Sequence, residues 1–94
     1  MKFFYNGKQV RTSKTHTYTH AVIDLNGKAI SCHGTKEAAE KQIRSKLSSN
    51  ERVREGVKRV NKNNPEALAR RLADCDRWEA EIKTWRIVDL EARD

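Results

Sequence analysis

Two Asn-Gly pairs, Asn6-Gly7 and Asn26-Gly27, sit between strand-like runs within the first thirty residues and constrain the fold more than any other feature of the chain. Asn-Gly is the strongest short hairpin signal, because both residues tolerate the positive φ that a tight two-residue turn demands. The spacing predicts two β-hairpins. A type I′ turn at Asn26-Gly27 pairs Leu25 with Lys28, Ile23 with Ile30 and Ala21 with Cys32, gathering apolar residues on one face. The other, more polar face then displays His16, Tyr18, His20, Val22, Asp24, Ala29, Ser31 and His33. At Asn6-Gly7 the same rule pairs Tyr5 with Lys8 and Phe3 with Val10, leaving Lys2, Phe4, Gln9 and Arg11 opposite.

Helical spacing takes over after Gly34. Thr35 is a capping residue, and Ala39, Ile43 and Leu47 recur at i, i+4, i+8, which predicts an amphipathic helix ending near Ser48-Ser49-Asn50. A short second helix carries Val53, Val57 and Val60 on one side, with Arg52, Arg54, Lys58, Arg59 and Lys62 around it; Gly56 and the valines weaken it. Asn64 and Pro65 form a cap and first turn for a longer helix through Leu68, Leu72, Cys75 and Ile82. Residues 84–90 are β-branched and aromatic, so a closing strand is preferred there over continued helix. The expected fold class is α+β: an antiparallel sheet from two N-terminal hairpins and a C-terminal strand, packed on two to three helices.

A chain of 94 residues has room for one core, so residues 1–94 are read as one domain. No run approaches the 18 apolar residues of a membrane span, and the N-terminus breaks into a turn where a signal peptide would stay apolar. These features point to a cytoplasmic protein with no membrane contact, in which Cys32 and Cys75 stay reduced as small core residues. The net charge of +7 is polarised: six Lys/Arg face one acid in residues 1–36 and eight face four in 37–64, whereas acids outnumber bases eight to six beyond. Such a distribution steers encounters with polyanions or acidic protein faces.

No catalytic site stands out. His16, His20, Cys32 and His33 are the one group resembling a metal site, but Cys32 points away in the proposed register, leaving three imidazoles where structural zinc takes four ligands. Chance surface histidines explain them, and no metal or cofactor is assigned. Neither cysteine has the electropositive setting and oriented base of a nucleophile. Asp74, Asp76, Glu79 and Glu81 read as partners of Arg70, Arg71, Arg77 and Lys83 on a solvated helix face. The isolated glycines match neither a P-loop nor a dinucleotide fingerprint. Trp78 and Trp85 flank Ile82, one expected buried and the other partly exposed.

The segment Tyr18–Leu47, with its Asn-Gly-Lys turn and its Gly-Thr-Lys-Glu-Ala-Ala-Glu-Lys helix start, resembles the N-terminal arm-binding domain of phage tyrosine integrases, whose three-stranded sheet reads a DNA groove. No integrase catalytic domain follows. The opening Arg11–Val22 is similar to small phage-encoded accessory proteins, anti-CRISPR proteins among them, which act by covering a functional surface of a host complex. That resemblance implies a non-enzymatic protein that occludes a host protein or ribonucleoprotein. The alternative is a small DNA- or RNA-binding protein that contacts phosphates. Both readings use one contact set: Lys8, Arg11, Lys14, Tyr18, His20, His33, Arg52, Arg54, Lys58, Arg59 and Lys62. The oligomeric state is left open.

Overall fold

Asn6 and Gly7 both take positive φ, 53° and 77°, as a type I′ turn requires. The computed structural model, which describes residues 1–94, opens with the hairpin they close, β1 (Lys2–Tyr5) and β2 (Lys8–Thr12). Tyr5 pairs with Lys8 as expected, but a bulge at Val10 brings Arg11 opposite the fully buried Phe3.

The second hairpin, β3 (His20–Ile23) and β4 (Ala29–His33), turns differently. Only Gly27 has positive φ (83°), so the type I′ turn does not form. Asp24 governs this turn: its Oδ1 accepts from the backbone N–H groups of Asn26 (2.9 Å) and Lys28 (2.8 Å). The result is a three-residue loop ending in a left-handed glycine. Ile23 therefore pairs with Ala29, Ile30 is bulged out, and the expected Ala21–Cys32 pairing is kept.

The closing strand is present and is broken in two, β5 (Arg86–Asp89) and β6 (Glu91–Arg93), by Leu90 alone. Its halves join different sheets, so the expected single sheet is two three-stranded antiparallel sheets, ordered β2-β1-β6 and β4-β3-β5. The Leu90 N–H donates to Thr19 O (2.8 Å) at the crossing.

Two helices complete the chain, α1 (Lys36–Val60) and α2 (Pro65–Lys83). Thr35 Oγ1 accepts from the Ala38 N–H and Asn64 Oδ1 from the Ala67 N–H, with Pro65 in the first turn, as the capping signals predict. The two short helices expected between residues 35 and 62 are one continuous helix. Ser48-Ser49-Asn50 does not end it, because Asn50 is buried and its amide donates across to Cys75 O (3.0 Å) instead of competing for its own backbone.

The helices cover β4-β3-β5 on the face carrying Val22, which the hairpin pattern alone assigns to the polar side. The reason is β5: it sets Ile87 beside Val22, and together with Ala39, Ile82 and Trp85 these form the core, flanked by Ile43 and Leu47. Ala21 and Ile23, on the opposite face, are also fully buried, so the central strand is covered on both sides.

Every α1 residue in that core belongs to its first half. A 25-residue helix is about 37 Å long, so the second half of α1 and the first half of α2 run beyond the sheets as a two-helix arm. The molecule measures 57 × 23 × 18 Å, and its radius of gyration of 17.0 Å exceeds the roughly 12 Å of a compact chain this size. Asn64→Ala, which removes the cap that starts the arm's second helix, is expected to cost about 1 kcal/mol. Thermal unfolding should register that loss as a fall of about 4–8 °C in Tm.

Candidate functional site

Apolar and polar spacing along the arm describes a coiled-coil seam. In α1 the inward positions are Ile43, Leu47, Asn50, Arg54 and Val57, continued by the C-cap Asn61; in α2 they are Leu68, Leu72, Cys75, Glu79 and Ile82. Both series alternate steps of four and three, as a left-handed antiparallel pair requires.

Arg54, expected among the partner contacts, is a seam residue, its side chain only 15% exposed. It reaches Asp76, Glu79 (3.0 Å) and Glu51 (3.4 Å), clamping α1 to α2. The hydrogen bond to Asp76, then the surrounding carboxylate charges, raise its pKa above the ordinary arginine value. It is therefore spoken for.

The neighbouring cations divide. Lys58 pairs with Glu55 (3.3 Å), Arg77 with Asp74 and Lys83 with Glu79, while Arg52 donates to Ser49 Oγ. Arg59, Lys62, Arg70 and Arg71 have no carboxylate within ion-pair distance, and Glu66 is the one acid between residues 56 and 73. These four cations surround the turn joining the helices, at the far end of the arm. Sequence spacing placed Arg59 and Lys62 in the contact set. Spacing alone makes Arg70 and Arg71 partners of the α2 acids; in the fold Asp74, Asp76 and Glu79 lie nearer the sheets and pair with Arg77, Arg54 and Lys83 instead.

A second group gathers where the two sheets meet. Arg11 lies over the Tyr18 ring, 5.1 Å from its centroid, and His16 and Phe3 meet the same ring edge-on at 6.0 and 5.3 Å. His20 pairs with His33 across β3–β4 and with Asp89 across β3–β5. The Thr19 hydroxyl donates to Gly34 O (2.9 Å) and lies 2.7 Å from His20 Nδ1, while His20 Nε2 is 3.1 Å from Asp89 Oδ1. Ser31 Oγ is 2.7 Å from His33 Nε2. Arg11, Tyr18, His20 and His33 thus belong to one junction. Lys8 and Lys14 are exposed on β2 and on the loop after it, outside these contacts. No three metal-ligating side chains converge, and the three surface clefts lie elsewhere, beside Thr84, Val57 and Arg52.

Trp85 is buried and Trp78 is 40% exposed, their rings edge-on at 5.7 Å. No helix is long and apolar enough to cross a membrane. Comparison with known protein families, with curated proteins and with solved structures finds no match.

Two outcomes follow from the charged groups. Arg54→Ala should lower Tm more than Arg52→Ala or Arg59→Ala in parallel thermal melts, because it alone unties two helices; equal effects would remove Arg54 from the clamp. His33 titrates below its ordinary 6.5, first because burial disfavours the imidazolium and second because of the Arg11 charge. The unfolded chain therefore takes up that proton at higher pH than the folded one. This contribution to stability is complete above pH 6.5 and is lost as pH falls below it. Across that window the wild type should lose more Tm than His33→Gln, and identical pH profiles would refute the assignment.

Proposed function

We propose that this chain is a non-enzymatic binding module whose helical arm engages the phosphates of a nucleic acid, free or carried in a ribonucleoprotein. The observation that carries this reading is the clustering of the arm's unpaired cations: Arg54, Lys58, Arg77 and Lys83 are neutralised in place, whereas Arg59, Lys62, Arg70 and Arg71 gather unpaired around the turn at the far end. Unpaired guanidinium and ammonium groups on a rigid prong, with one acid nearby, fit a phosphate backbone without demanding a sequence. Arg11 and Tyr18 supply a second, smaller cationic and aromatic patch on the sheet side. In the setting that the resemblance to phage accessory proteins implies, the arm occludes the nucleic-acid-facing surface of a host complex.

The test is binding of labelled duplex DNA, single-stranded DNA and RNA across a salt series. Wild type is compared with Arg59→Glu/Lys62→Glu/Arg70→Glu and with Lys8→Glu/Arg11→Glu/Lys14→Glu. Arg54 is left intact, since reversing it would dismantle the arm and mimic a loss of contact. Affinity for at least one ligand should fall steeply with salt, and the arm variant should flatten the log–log slope by about 3 as three phosphate contacts vanish. A salt-insensitive interaction, or an arm variant that binds like wild type, would overturn the proposal. An unchanged slope in the sheet variant would confine the site to the arm.

A further inference from the structure

The cations at the end of the arm border an apolar trough. Val53, Gly56, Val57 and Val60, at i, i+3, i+4 and i+7, share one face of α1. With the C-cap Asn61 and with Arg71 of α2 they line a cleft of about 340 Å³. Val53 and Val60 are 55% and 79% exposed. Arg71 has no carboxylate within ion-pair distance, and the Arg59 guanidinium lies 4.0 Å from where a Gly56 side chain would begin. Cations therefore stand on both rims of an apolar floor. Exposed valines scattered singly are ordinary on a protein surface. Valines gathered in one cleft between unpaired guanidinium groups suit a ligand that is anionic and apolar at once.

We infer, on the reading that the arm binds phosphates, that this cleft takes an unstacked base of a single-stranded nucleic acid whose neighbouring phosphates lie on Arg59, Lys62 and Arg70. A duplex meets only half of such a surface. Its base faces are stacked inside and its grooves offer polar edges, so docked against the tip it would satisfy the cations and leave the valines wet. A single strand alternates charge with exposed rings, and its bases can be splayed out and stacked on guanidinium planes. Arg71 supplies that plane, a weakly hydrated head that lies against a ring more readily than an ammonium does. The Asn61 amide is anchored by its Nδ2 to Val57 O (3.0 Å), which leaves Oδ1 available to a base amino or imino group.

Two further residues fit this occupant. Trp78 stands seven residues after Arg71 on the same side of α2, about 10 Å along the axis, and is 40% exposed. A strand leaving the cleft toward the sheets passes this indole, which is a stacking surface for a second base. Gly56 keeps the floor open. A Cβ there would meet nothing nearer than 4.0 Å, so the fold has no steric need of glycine at a position where it weakens the helix. A larger side chain at this lining position occupies the space a base would take.

The test compares the full chain's affinity for an oligothymidine of about 12 nucleotides, an abasic strand of the same length and a duplex of the same length, across a salt series. The abasic strand keeps every phosphate and lacks the bases. The oligothymidine should bind at least about fivefold more tightly than either. Gly56→Leu should reduce it to the abasic level, with the wild-type salt slope and a Tm unchanged or higher. Val53→Thr/Val60→Thr, which keeps the shape and replaces methyl groups by hydroxyls, should narrow the same preference with the circular dichroism spectrum intact. Equal affinity for the oligothymidine and the abasic strand, a preference for duplex, or cleft variants that discriminate as wild type does would each overturn the base site and leave salt-steep phosphate binding standing. Salt-insensitive or absent binding of all three ligands is the separate result that removes the phosphate reading, and the base site with it.

Discussion

The arm depends on a polar layer set into the middle of an otherwise apolar seam. Arg54 reaches from α1 to Asp76 and Glu79 on α2, and one turn away the Asn50 amide reaches Cys75 O. An all-apolar seam of valines and leucines would slide by a heptad at little cost. A guanidinium with its carboxylates on the facing helix has one satisfied position, because any shift strands a partly desolvated charge. The register so chosen delivers Ile82 and Trp85 to Val22 and Ala39, closing the core against the sheet.

That core is small, and the rest of the architecture is arranged around its size. Only Phe3, Ala21, Val22, Ile23, Ala39, Ile82, Cys75, Trp85 and Asn50 are buried, most of them near the sheets. The sheets are held to each other by the C-terminal strand, which leaves β3 at Asp89 and joins β1 at Glu91. Both N-terminal hairpins thus wait on the last residues of the chain for their third strand. A two-stranded hairpin is marginal by itself, which makes β5 and β6 the elements that turn local structure into a fold.

Much of this was legible in the sequence, and the failures share a cause. Capping at Thr35 and Asn64, the two hairpins and the closing strand are local signals, and each is found where its residues predict. The second turn departs from the Asn26-Gly27 signal because the Asp24 carboxylate gathers two N–H groups and lengthens the loop. The helix break at Ser48–Asn50 failed because Asn50 has a partner twenty-five residues away. The hairpin pattern cannot show the face of Val22 as apolar, because Ile87, which makes it so, arrives from the other end of the chain. Arg54 looked like its basic neighbours, and only the facing helix distinguishes it. Of the residues expected to make contacts, Arg11, Tyr18, His20 and His33 lie together at the junction of the sheets, brought there by strand pairing that no spacing rule shows.

The seven-residue repeat, once both helices are aligned, sorts the arm's surface into three lengthwise strips. One flank holds ion pairs that neutralise themselves; the outermost line holds Arg52, Arg59 and Arg70; the other flank holds Val53, Val60, Arg71 and Trp78. The separation matters physically, since a guanidinium beside an apolar contact must either be desolvated or hold water in the interface. Arg52, Arg59 and Arg70 lie about a quarter-turn from the valines, so the cations stay hydrated without wetting the apolar strip. The exception is Arg71, whose planar, weakly hydrated head is the one cation suited to lying against an aromatic ring, and it stands one heptad from Trp78 on the apolar strip.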